Sequence, residues 1–272
     1  MTQPTWASKL PDEADEWLPV LDIPEPQAQR RLTVLVRWIL LIPQFIVLVI
    51  LGIVAFFATV IGWFAALFTA RLPDPIARYL SGFLAYETRV HASALLLVDV
   101  YPPFVFRPVS AYPVRIEVRP GRLNRLAVLF RIILLIPAAI VQSLFASGWY
   151  AVCVVSWLVV LILGRMPRPL FEATAAMLRY TMRYNAYVAM LTSAYPKRLF
   201  GDRDFPGTPD SAAPVSATRP LRLSTAGTVL VTLFLVIGLI VNIFGGTTAP
   251  PDKTHDSAVC GAAPGCRTDA PF

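Results

Sequence analysis

The stretch RLTVLVRWILLIPQFIV at residues 31–47 returns as RLAVLFRIILLIPAAIV at residues 125–141. Working outward from it, residues 17–110 align with 111–204 without an insertion or deletion, at a constant offset of 94. Arg37 falls on Arg131, Pro43 on Pro137, Trp63 on Trp157, Arg71 on Arg165, Tyr86 on Tyr180, Arg89 on Arg183, and Tyr101-Pro102 on Tyr195-Pro196. About a third of the aligned positions are identical. A fixed-period repeat defines the structural unit before any local reading does. Each unit carries a long apolar run, so it reads as a membrane module used twice.

Composition agrees. The chain is 56% hydrophobic and 15% charged, with a net charge of +7 and a mean hydropathy of +0.60. Soluble domains carry roughly 25% charged residues. Three runs reach spanning length: Trp38 to Ala70, Ile132 to Gly164 and Thr225 to Phe244. About 20 apolar residues cross the hydrocarbon core. The first residues are polar and acidic (Asp12, Glu13, Asp15, Glu16) and lack a basic region followed by an apolar core. No cleavable signal peptide is therefore expected, and the spans themselves direct insertion. Basic charge beside spans records topology and attraction to anionic headgroups, so no nucleic-acid partner is expected.

The two long runs are awkward for one span and slightly short for two. As single helices they would be ~50 Å long against a core of ~30 Å. Hairpins are favoured, with reversals near Gly52 and near Ser147-Gly148, where small residues suit a tight turn. They also place the arginines flanking both runs on one side, as the positive-inside rule asks. Pro43 and Pro137 lie inside the first arm of each hairpin, and the repeats come out parallel. After each run, Arg71-Leu72-Pro73-Asp74-Pro75 or Arg165-Met166-Pro167-Arg168-Pro169 stops one helix and starts another. That second helix, residues 76–98 or 170–192, has a basic polar face and is expected either at the membrane interface or packed over the cytoplasmic ends of the hairpins. Tyr112 to Val118 alternates apolar with charged residues, a short strand pattern.

The fold class expected is an all-α integral membrane protein. It has two tandem repeats, each a transmembrane helical hairpin plus an amphipathic interfacial helix, followed by one C-terminal transmembrane helix. The boundaries are an acidic disordered tail (1–16), membrane repeat 1 (17–110), membrane repeat 2 (111–204), a flexible linker (205–224), the last helix (225–244) and an external disordered tail (245–272). Five spans put the protein in the cell membrane as a multi-pass chain, N-terminus cytoplasmic and C-terminus external. Cys260 and Cys266 would close a small disulfide loop if that tail meets an oxidising compartment; two free thiols are the alternative.

The repeated Arg-Leu-x-x-Leu-x-Arg, Leu-x-Ile-Pro, internal Trp, Arg-x-Pro and closing Tyr-Pro-Pro-Phe resemble bacterial membrane proteins of the domain of unknown function 4389 family. The resemblance covers both copies, about residues 17–200. The second copy departs from the closing motif, with Tyr195-Pro196-Lys197-Arg198. It implies architecture and location and brings no activity.

Chemistry is sparse. His91 and His255 are the two histidines, too isolated for a metal cluster. No phosphate loop, nucleophile elbow or cysteine–histidine pair occurs. Glu87 and Asp99 align with Thr181 and Ser193, so a two-copy acid/base site is not expected. No enzyme activity, catalytic residue, metal or cofactor is expected. The preferred expectation is a non-enzymatic membrane protein organising anionic lipids or an unidentified membrane-protein partner at the cytoplasmic face. Arg71, Arg89, Arg165 and Arg183 would contact headgroups or the partner, with Tyr86 and Tyr180 at headgroup depth. The plainer reading is that these arginines only fix topology. The alternative function is a facilitative transporter or channel for a small neutral solute, drawing on the duplicated, proline-broken design. Gln44, Gln142 and Asn242 are its polar candidates, and bonding across helices is their competing role.

Overall fold

Each apolar run folds as one uninterrupted helix. The computed structural model describes residues 18–106, 112–118, 120–121, 123–201, 216, 218 and 221–245. In chain order these form β1 (Val20–Asp22), α1 (Arg31–Thr69), α2 (Asp74–Ala94), β2 (Arg115–Glu117), α3 (Arg125–Leu129), α4 (Arg131–Leu163), α5 (Arg168–Val188) and α6 (Thr225–Gly245). The 39 residues of α1 extend about 58 Å and the 33 of α4 about 50 Å, at 1.5 Å per residue. The expected reversals at Gly52 and Ser147-Gly148 do not occur. Gly52 lies against Phe83 of α2, and Gly148 against the backbone of Phe234 in α6. Gly148 is small because a backbone approaches it, and the chain turns at neither position. Where five spans were expected, three helices among the described residues are long and apolar enough to cross a membrane: α1, α4 and α6.

A hairpin does exist, with its turn at the Arg-x-Pro motif. Each long helix ends on a left-handed residue, Ala70 at φ 56° and Gly164 at φ 70°. Pro75 and Pro169 then sit in the first turns of α2 and α5, where a missing N–H costs nothing. The second helix returns along the first. Tyr79 donates its hydroxyl to the Leu51 carbonyl at 2.9 Å, and Tyr86 donates to Gln44 Oε1. In the second copy Tyr180 donates to the Ala138 carbonyl at 3.2 Å. Both returning helices close with the same left-handed cap, at Leu96 and Met190. Leu97 N–H meets the Ala92 carbonyl and Leu191 N–H the Ala186 carbonyl, each at 3.0 Å, the six-to-one bond of a Schellman motif.

The amphipathic helices are therefore not surface elements. Fourteen of the 21 residues of α5 are buried, and α2 and α5 pack against each other as well as against the long helices. Polar residues on their faces bond inside the fold, as in the expected alternative of packing against the long helices.

Contacts between the copies come in exchanged pairs. Trp63 donates its indole N–H to the Val128 carbonyl at 3.0 Å, and Trp157 to the Val34 carbonyl at 2.9 Å. Gln29 N–H reaches Gly164, and Leu123 N–H reaches Ala70. Adding 94 to one member of each pair and subtracting it from the other turns the first pair into the second. The copies are thus related by an approximate twofold, with the start of α1 beside the end of α4 and the reverse. The repeats are inverted with respect to each other, not parallel. Strand β1 pairs antiparallel with β2, Leu21 opposite Ile116, bridging the copies. The strand expected over 112–118 thus shortens to 115–117 and finds its partner in the N-terminal segment. Thr218, within the stretch expected to be a flexible linker, is buried and bonds both Leu21 and Ile23.

Helix α6 runs antiparallel along α4. A Cβ at Gly148 or Gly238 would overlap the facing carbonyl of Phe234 or Leu144, so the two backbones touch directly, as in small-residue membrane contacts. Glu172 of α5 fixes the start of α6 by accepting from Ser224 N–H and Oγ–H at 2.7 and 2.6 Å. The acidic tail and Cys260 and Cys266 lie outside the described residues.

Candidate functional site

The six residues expected at headgroups separate into two groups. Arg89 and Arg183 are buried, at 3% and 5% exposure, as are Tyr86 and Tyr180. Arg89 donates to the carbonyls of Ala85 and Val105. Arg183 donates to those of Pro19 and Lys197, both at 3.1 Å. The two arginines are drawn inward by loop carbonyls that need a donor, and the two tyrosines by acceptors on the long helices, since buried polar groups must be paired. Burial pulls the Arg89 guanidinium down, against the upward pull of Tyr112 and Tyr86. Arg71 and Arg165 are exposed. They sit at opposite ends of the antiparallel α1–α4 pair, so they do not share one surface.

Two arginines at the start of the apolar runs belong with the buried set. Arg37 donates to the carbonyls of Ser93 and Val98 and pairs with Asp99 at 2.6 Å. Arg131 donates to the Thr192 carbonyl at 2.6 Å and stacks on Tyr187, 3.9 Å from its ring centre. Both clamp the loop that follows the returning helix. Their legible signal was retention at the same place in both copies, directly ahead of each apolar run. Gln44 bonds Tyr86 and the Pro102 carbonyl, and Gln142 bonds Thr181. Both hold helices together.

Seven of the exposed basic residues lie at the two ends of the α1–α4 pair. Arg30, Arg31, Arg165 and Arg168 gather where α1 begins and α4 ends; Arg71, Arg78 and Arg125 gather where α1 ends and α4 begins. Between the clusters the helix surface is apolar. Only 11% of the most apolar window of α1 is buried, and 22% of that of α4. Ile39, Val49, Ile53, Phe57 and Phe68 all lie open on α1. A helix apolar around most of its circumference needs a non-aqueous surround.

Among the described residues no group of three or more metal-ligating side chains converges. One cavity of about 20 Å³ lies between residues 24–29 and 97–100, room for one water molecule.

Duplicated long apolar helices, inverted pairing and arginine-tipped ends define a helical repeat protein of membrane character. The chain belongs to the family described as Domain of unknown function (DUF4389), which it matches twice, over residues 31–105 and 125–199. No curated protein and no solved structure matches it. Helix α6 and strand β1 fall outside both matched segments.

Proposed function

We propose that this is a non-enzymatic integral membrane module that gathers anionic lipid headgroups at the two ends of its α1–α4 pair. The observation that carries the reading is the pair of exposed arginine clusters separated by a lipid-soluble helix surface. Crossing the membrane once per long helix puts the starts of α1 and α6 and the end of α4 on one side. Three crossings keep the terminal assignment that five would give, N-terminus cytoplasmic and C-terminus external. The cluster with Arg30, Arg31, Arg165 and Arg168, joined by Arg222 ahead of α6, is then cytoplasmic and the more basic, as the positive-inside rule asks. Helices longer than the ~30 Å core reach through the headgroup zones or tilt strongly.

A basic residue near an anionic surface contributes about 1 kcal/mol, roughly a fivefold change in lipid affinity. Replacing Arg71 and Arg165 together by Gln is expected to reduce phosphatidylglycerol retained by the purified protein, read by native mass spectrometry. Unchanged retention would defeat the proposal. A second reading, passage of a small neutral solute, is favoured by the inverted pairing of the repeats. It is weakened because Gln44 and Gln142 are committed to helix packing. Solute flux in sealed vesicles that depended on either glutamine would favour it.

A further inference from the structure

Where α2 and α5 cross on the repeat axis, the two copies cease to match in chemistry. Glu87 Oε2 accepts from Asn185 Nδ2–H at 3.0 Å. The 94-residue offset carries Glu87 onto Thr181 and Asn185 back onto His91. A matched pair of copies would therefore repeat this contact as His91 with Thr181. Instead, the first copy sets a carboxylate and an imidazole four residues apart on one helix face, and the second has two neutral groups. Thr181 is already engaged with Gln142 and the Met177 carbonyl.

Glu87 also differs from the other bonded acids nearby. Asp99 has Arg37 beside it, and Glu172 has Arg168 and Ser224. The partner of Glu87 on α5 is a neutral amide, and His91 is the ionisable group whose charge bears on it. The residue lies between the repeats and is neither fully buried nor exposed. Burial pushes its pKa up, while His91 and the Asn185 hydrogen bond act against that rise. A carboxylate between membrane repeats is costly to keep ionised, and such groups mark proton and ion sites.

We infer that Glu87, with His91 beside it, is a proton-binding site on the axis between the two repeats. Asn185 occupies Oε2, leaving Oε1 to take the proton. Hydronium transfers H⁺ to Oε1, an O–H bond forms, water leaves, and the carboxyl charge goes from −1 to 0. The charge buried between the repeats disappears with it. Because the folded pKa is raised, proton binding favours the folded interface fully below the free glutamate value of about 4.3 and loses its effect as pH rises through the folded value.

The full chain in phosphatidylcholine nanodiscs, followed by infrared difference spectroscopy across pH, tests this. Wild type should show a protonated-carboxyl band that disappears at a higher pH than for exposed glutamate. Glu87→Gln, which keeps an acceptor for Asn185, should lose that band. His91→Gln should move its midpoint upward, since an opposing positive charge is gone. Glu87→Asp should retain a titrating band, and carries the test should Glu87→Gln misfold. A band unchanged in Glu87→Gln, or a wild-type midpoint equal to that of exposed glutamate, would overturn the inference. So would a midpoint that falls when choline is replaced by sodium, which would make the site one for a metal cation.

Discussion

Arginine has two uses in this chain, and burial separates them. Arg37, Arg89, Arg131 and Arg183 serve as internal clamps on backbone carbonyls, while Arg71 and Arg165 remain at the surface. Truncating Arg37 to Ala would leave Asp99 and the Val98 carbonyl without their donor. The expected loss is about 3 kcal/mol or more, because the uncompensated groups stay buried. A thermal shift in detergent checks it, and Arg71→Ala should fall within about 0.5 kcal/mol of wild type as a surface change. A smaller effect belongs to Ala70, which holds the left-handed position that its counterpart Gly164 takes freely. Ala70→Gly should stabilise the protein by about 1 kcal/mol and Gly164→Ala should destabilise it similarly. Equal melting temperatures for the two variants would mean that neither cap matters.

At the scale of elements, the repeat, the apolar helices and the proline-marked turns were legible, and the place where each chain segment reverses was not. Thirty-three apolar residues are too many for the hydrocarbon core, so length alone argued for a turn inside the run. Length bounds a helix poorly when a second helix packs along it. Arg71-Leu72-Pro73 and its copy held the real turn, and Gly52 and Gly148 were contact positions. The charge argument counted the arginines flanking the runs as surface charge, and two of them, Arg37 and Arg131, are buried. Trp63 and Trp157, visible only as matched positions of the repeat, prove to be hydrogen-bond donors between the copies. Glu87 was visible as an acid with no counterpart, but its meeting with Asn185 depends on the crossing of α2 and α5, which no local pattern encodes. The α4–α6 contact makes its own prediction. Gly148→Leu places a side chain against the α6 backbone and should cost about 1–3 kcal/mol through overpacking. Cysteines introduced for Ser147 and Asn242, whose side chains lie 3.0 Å apart, should crosslink in the parent and lose that crosslink in the Gly148→Leu variant.

For the whole molecule, inversion of the two copies is the feature from which the rest follows. It puts the arginine clusters at opposite ends, brings α2 and α5 together on the axis, and leaves α6 running with α1. It also separates this account from the arrangement that charge counting favours, in which both Arg-x-Pro turns face the same compartment. The most direct measurement places single cysteines at Asp74 and at Arg168, with Cys153, Cys260 and Cys266 replaced, and treats intact cells with a membrane-impermeant thiol reagent. Both positions are exposed, one after each long helix. The account predicts labelling of Asp74→Cys in intact cells and protection of Arg168→Cys until lysis. Protection of both would put the two turns on one side and contradict single, opposed crossings by α1 and α4.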